Sequence, residues 1–310
     1  EDAIMHIRID LTAKGKPISP LIYGINQYSN QGKYKQVKAT ALRQGGNRTT
    51  AYNWENNASN AGADWHHSSD GNLGSTDTPG AAVTTFVNEA TFYKIPYKLT
   101  TLQLAGYVAA DKNGDVSAAE AAPSPRWNKV ILTKNAPFTL TPDLTDGVVY
   151  MDEYVNFMVQ TFGDSTTARG IQGYSLDNEP ALWHHTHPRI HPQRVGIDEL
   201  AEKSIEIARA VKAIDPNAEI FGPALYGYTA FDHLADDDMS IDWERLKGQK
   251  GYNWYLDCYL DQMKQAEDEY GLRLLDVLDI HYYSESARVS DKDRVQSVRT
   301  LYEEGFRENS

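Results

Sequence analysis

The chain has 310 residues, 41% of them hydrophobic, enough for one large α/β domain or two small ones with an ample core. With 43 acidic against 30 basic residues the formal net charge is -13, which argues against nucleic acid and anionic membrane surfaces as partners and suits a neutral or cationic substrate. The single cysteine, Cys258, excludes an intrachain disulfide and a cysteine-built metal site; within the amphipathic stretch 254–260 it reads as a small buried hydrophobe.

The N-terminus, Glu1-Asp2-Ala3-Ile4, lacks the basic and apolar regions of a signal peptide, which suits a secreted protein whose export signal has been removed and equally a cytoplasmic one; the secreted form is the one expected. Residues 4–11 alternate, with Met5, Ile7, Ile9 and Leu11 on one face and His6, Arg8 and Asp10 on the other, the pattern of a half-buried antiparallel strand. From about residue 20 short apolar runs alternate with longer helical segments, as in repeated βα units. The runs at 21–24, 41–44, 99–107, 171–176, 219–222 and 277–281 predict six strands, and no internal repeat accompanies them. Helices are expected over 150–162, from about Asp198 with Leu200, Ile207, Val211 and Ile214 on one face, and over 253–270, where Gly271 supplies a stop. Residues 55–82, rich in Asn, Ala, Gly, Ser and Asp, read as a long loop after the second strand, of the kind that shapes a binding site.

The fourth predicted strand runs directly into Asp177-Asn178-Glu179-Pro180. A carboxylate at a strand's C-terminal end is where a (β/α)8 barrel carries its chemistry. Hydrolysis of a glycosidic bond needs two such groups, one to protonate the leaving oxygen and one to attack or to activate water.

Several strings together resemble glycoside hydrolase family 44, whose members are endo-acting β-1,4-glucanases and xyloglucanases. They are Arg43-Gln44-Gly45-Gly46-Asn47-Arg48, Tyr52-Asn53-Trp54-Glu55, Gly106-Tyr107-Val108-Ala109-Ala110-Asp111, and the stretch from Tyr174 through Asp177-Asn178-Glu179-Pro180 to Trp183. Thr186-His187-Pro188-Arg189-Ile190-His191-Pro192 and Leu278-Asp279-Ile280-His281-Tyr282-Tyr283 complete the set. The resemblance implies a (β/α)8 TIM-barrel glycosidase, with residues 1–15 giving a strand to an accessory β-sandwich and 16–310 forming an incomplete catalytic barrel. It implies Glu179 as acid/base and, as nucleophile, a Glu ending the seventh strand. Here the sixth strand ends near His281, and the polar segment Ser284–Ser310, in which Glu285 is the nearest carboxylate, offers no seventh. The nucleophile is therefore expected outside this chain, in the remainder of the same polypeptide.

Asn178 is expected to donate to the sugar hydroxyl beside the reacting carbon. Asn47, Trp54, Trp65, Trp183, His281 and Tyr283 stand at or just past strand ends and are the further candidates for contact with a polysaccharide, the aromatic ones by stacking on pyranose faces. Core packing is the competing role for each Trp. His184, His185, His187 and His191 raise a second reading, a metal-dependent barrel hydrolase, although such a site also needs ligands from other strand ends. A non-catalytic carbohydrate-binding protein is the third. The stretch Asp111-Lys112-Asn113-Gly114-Asp115 begins like a calcium loop, but Val116 and Ala122 occupy the positions that need Gly and Glu, so a turn is expected. Catalysis should need no cofactor; a structural calcium ion is expected, if anywhere, at Glu55, Asp152 and Glu153.

Overall fold

Six short strands align in parallel in the order β1 (Gly24–Asn26), β2 (Ala41–Gln44), β3 (Tyr97–Leu102), β4 (Gly173–Leu176), β5 (Glu219–Leu225) and β6 (Val277–Ile280). The computed structural model describes residues 12, 15, 17–27, 32–235, 241–283, 290–301 and 303–307. The predicted strand at 4–11 and Glu285 lie outside the described residues. Burial rises from the edges of the sheet to its middle. All four residues of β4 are buried, whereas β1 and β6 alternate between half-buried and exposed. A central strand of a parallel sheet is covered on both faces, which is why β4 reads as a continuous run and not as an alternation.

Helices pack against the sheet's outer face. They are α1 (Ala81–Phe92), α2 (Met151–Phe162), α3 (Ile197–Ile214) and α4 (Tyr255–Tyr270). In α3 the buried stripe Leu200, Ile207, Ala208 and Val211 follows helical spacing. In α4, Cys258 is buried as expected, and burial pushes its thiol up to about 11. Gly271 ends α4 in the left-handed conformation, at φ 62°. The concave face of the sheet borders a cavity of about 690 Å³ lined by Ile25, Arg43, Leu99, Phe221 and Val277 among others.

Two predicted strands differ from the structure. The run at 21–24 is mostly a 3-10 turn, Pro20–Ile22, because Ser19 Oγ accepts from Leu21 N–H at 3.2 Å and Pro20 opens the turn; the strand begins only at Gly24. The run at 99–107 is two elements. The chain turns at Gly106, φ 100°, and Tyr107–Ala109 pairs antiparallel with Trp127–Ile131 in a separate three-stranded sheet. The long loop is also ordered. Ser59–Asn60, Ser68–Asp70 and Gly114–Asp115 form a small antiparallel sheet, braced by Arg48 Nη1 on Asp70 at 2.6 Å. Asp111 gives its carboxylate to Arg126 (2.7 and 3.1 Å) and to the Asn113 N–H, consistent with the turn.

Trp54, expected to meet substrate, is fully buried. Its ring stacks on Tyr154 with centroids 5.4 Å apart and touches Phe157, both on α2, so it anchors the long loop to the barrel wall and offers no face to a sugar. Trp54→Ala should destabilise the protein by about 3–5 kcal/mol, the usual cost of deleting a buried aromatic. The shift in urea midpoint at constant slope measures it.

Candidate active site

The end of β4 is shaped by a bulge in its neighbour. The register of β5 on β6 shifts between Pro223 and Leu225, and the extra residue, Ala224, sits at φ 53°. Its carbonyl, released from the ladder, accepts the Glu179 N–H at 2.9 Å, while Leu225 O accepts the His281 N–H at 2.8 Å. Bulges at barrel rims re-aim side chains in this way. Asp177 and Glu179 are both held at positive φ, 66° and 49°, a costly conformation for residues with a Cβ. Pro180 then starts a short turn whose first position tolerates its missing N–H. The outcome is a Glu179 carboxylate on the C-terminal face of the barrel, about a fifth exposed, with Oε1 2.6 Å from His281 Nδ1.

Arg43 and Asp177 hold this end in place. Arg43, at the end of β2, donates from Nη2 to Asn178 Oδ1 at 2.8 Å and from Nη1 to Asn26 Oδ1 at 3.3 Å. With Oδ1 thus occupied, the Asn178 amide is oriented with its NH2 free to donate elsewhere. Burial lowers the Arg43 pKa while Asp279, Glu179 and Tyr283 pull the other way, so the guanidinium shares one electrostatic site with the candidate acid. The fully buried Asp177 carboxylate accepts Thr50 Oγ1–H (2.6 Å), Leu104 N–H (2.6 Å) and Asn178 N–H (2.7 Å). Burial pushes it up to about 6 against the pull of these donors. It thereby ties β4 to the loops that follow β2 and β3.

The family model for glycoside hydrolase family 44 matches residues 58–286. The chain belongs to glycoside hydrolase family 44. It is 49% identical over 323 residues to endoglucanase A of Paenibacillus lautus, covering 97% of this chain and 45% of that protein. A family 44 xyloglucanase of Paenibacillus polymyxa, solved with xyloglucan, superposes with a TM-score of 0.87 at 48% identity, and a family 44 endoglucanase of Clostridium thermocellum with 0.87 at 50%. Each of those structures aligns over 95% of this chain and 60% of its own. The chain thus spans about half the length of the curated relative, and its six strands are part of a family 44 (β/α)8 barrel.

The remaining predicted residues of this family 44 chain separate into two groups. His281 touches Glu179, and the exposed Tyr283 lies in the field of Arg43. Trp65 is 63% exposed, with its ring edge-on to His66, so it has a free face. Asn47 spends its amide on Ala61 O at 3.2 Å and braces the loop. Trp183, expected to meet substrate, is fully buried against His191 with Lys203 Nζ over its ring, because the chain after Pro180 turns inward. Arg43 and Asp177, absent from the predicted set, carry one legible signal each: a cation in the last two positions of a barrel strand, and an acid two residues before Glu179.

The histidines do not converge on a metal. His191 bonds Gln193 O and Glu199, the His184 and His185 rings lie tilted against each other, and the pKa of buried His187 is lowered to about 3 by desolvation and then by His67. Among the described residues no group of three or more His, Cys, Asp and Glu side chains is spaced to hold an ion. Glu55, Asp152 and Glu153 are nonetheless buried near one another's field. Lys134 Nζ lies 2.6 Å from Glu153, and Glu55 Oε2 is enclosed without a hydrogen-bond partner.

Asp177→Ala would leave two buried backbone N–H groups and the Thr50 hydroxyl unpaired, so a loss of about 3 kcal/mol is expected. Urea unfolding of the variant checks it; a change below about 0.5 kcal/mol would contradict the tethering role.

Proposed function

We propose that this chain carries the acid/base half of a retaining, endo-acting glycoside hydrolase that cleaves β-1,4-glucan: cellulose, mixed-linkage glucan or xyloglucan, with xylan a neighbouring substrate. The observation that carries the reading is Glu179, aimed from the end of β4 by the Ala224 carbonyl and held by His281. In the first step Glu179 gives its proton to the glycosidic oxygen while a second carboxylate attacks the anomeric carbon, forming a glycosyl ester and releasing the chain beyond the bond. In the second, the Glu179 carboxylate takes a proton from water, which displaces the ester and frees the sugar. The Asn178 NH2, oriented by Arg43, donates to the neighbouring sugar hydroxyl as charge develops. Two carboxylates suffice, and no cofactor enters.

The nucleophile in this reading is a Glu supplied by sequence that these 310 residues do not include; the chain's 60% coverage of the solved family 44 structures supports it. In this reading the sequence from residue 16 onwards belongs to the catalytic barrel. A polymeric substrate is met outside the cell, which puts the enzyme there.

In the full-length polypeptide, Glu179→Gln should lower kcat/KM on unactivated glucan by at least about 10³-fold, combining the upper part of the range for general acid–base catalysis with loss in both steps. The β-anomer should form first when wild-type hydrolysis is followed by proton NMR. Wild-type turnover by the variant, or initial release of the α-anomer, would sink the assignment. His281→Ala, which frees the Glu179 side chain, should cost about 10²-fold in kcat/KM, as small misplacements of a catalytic group do.

We also propose a structural calcium ion at Glu55, Asp152 and Glu153, whose carboxylates are not spaced to hold an ion as they stand and would have to draw together around it. An all-oxygen donor set suits this hard cation, and the unpartnered Glu55 oxygen supports the reading. Bound there, the ion would neutralise the carboxylates and fasten the long loop to α2. Chelation should lower the Tm, calcium should restore it, and Glu55→Gln should abolish the difference. A Tm indifferent to chelator would remove the ion from the account.

A further inference from the structure

Of the six tryptophans, Trp54, Trp127, Trp183 and Trp243 are buried, whereas Trp65 and Trp254 stand 63% and 37% exposed. Tyr228 is exposed by 68% and meets Trp254 edge to face, with centroids 5.4 Å apart and planes at 82°. Exposed large aromatics held together in this way are informative because isolation in water is unfavourable for both rings.

Their place in the fold follows from the topology. Tyr228 opens the short helix Tyr228–His233, directly after β5, and Trp254 is the residue before α4, the helix that returns to β6. In a parallel βα unit, the residues that follow a strand and those that begin its returning helix lie at the strands' C-terminal face. That is the face of Glu179, whose N–H bonds Ala224, four positions before Tyr228. Trp65 stands on the loop after β2, so in the sheet order β2-β3-β4-β5 Trp65 and the Tyr228–Trp254 pair flank Glu179 on opposite sides.

We propose that Tyr228 and Trp254 form a distal sugar-binding subsite, on the β5 side of Glu179, for the far end of a β-1,4-glucan chain. The inference rests on the glycosidase reading above. An edge-to-face pair leaves ring faces free, and a flat aromatic face complements the C–H face of a pyranose. Tyr and Trp have only two side-chain torsions to fix, so the contact costs little conformational entropy, and each ring braces the other. Trp65, single and on the far side, would take the opposite end.

The test uses the full-length polypeptide with Glu179→Gln, so that ligand is not consumed. Calorimetric titration with cellohexaose and cellotriose is compared among this parent and versions that add Tyr228→Ala, Trp254→Ala, Tyr228→Phe or Trp254→Phe. Each alanine change should weaken cellohexaose binding about five- to tenfold, equivalent to about 1–1.4 kcal/mol, and cellotriose binding much less. The phenylalanine changes, which keep a ring, should recover most of the loss. Unaltered cellohexaose affinity in both alanine variants, or equal losses for the two ligands, would overturn the subsite while leaving the enzyme assignment standing. A wild-type polypeptide that fails to hydrolyse glucan would instead overturn the reading on which the subsite rests.

Discussion

The hydrogen bond from Glu179 N–H to Ala224 O is the constraint on which the site depends. It crosses from β4 to β5 where both strands have left regular ladder geometry, with Ala224 at φ 53° and Glu179 at φ 49°. Neither backbone would hold that conformation alone, since each costs free energy for a residue with a Cβ. Held together, they point one carboxylate out of a sheet whose central strand is otherwise wholly buried. The same bulge carries Leu225 O, which receives His281 and brings its ring to Glu179. One irregularity in one strand therefore sets the position of both the candidate acid and its partner.

Beneath Glu179 lies a buried polar network, and its satisfaction makes it rigid. Asp177 satisfies three donors drawn from three segments. Gln44 links β2 to Thr100 on β3 and to the Ala82 carbonyl on α1. Such groups favour a single arrangement because any slip leaves a donor or acceptor unpaired in a low-dielectric interior. The apolar core has a parallel task. Trp54 and Trp183 close the loops after β2 and β4 onto the barrel wall, which keeps Asn47, Trp65 and Asn178 on ordered segments.

The strand core at 171–176 was legible because it is buried on both faces of the sheet, and those at 41–44 and 277–281 because short runs with apolar residues stand between helical segments in a βα alternation. The start of β1 was not, since Pro20-Leu21-Ile22 is equally apolar as a capped turn and only the Ser19 cap distinguishes it. Gly106, which divides the run at 99–107, shows its role only through a positive φ. The helix α1 carries Val83, Phe86, Val87 and Ala90 at helical spacing, but its threonines and alanines blend into the polar loop before it. Glu179 was legible because a carboxylate between Asn and Pro at a strand end has few structural uses. Arg43 is harder to see because its partner Asn178 is 135 positions away.

By itself the sequence determined the βα architecture and the family, and singled out Glu179 as the candidate acid, because these follow from local periodicity and from motifs spread in order along the chain. Which tryptophans pack the core and which face solvent was decided only by tertiary structure. Trp54 and Trp65 lie in one loop of similar composition, yet the first meets Tyr154 on α2 and the second meets water. Burial is a property of what arrives from elsewhere in the chain, and a local pattern does not record it.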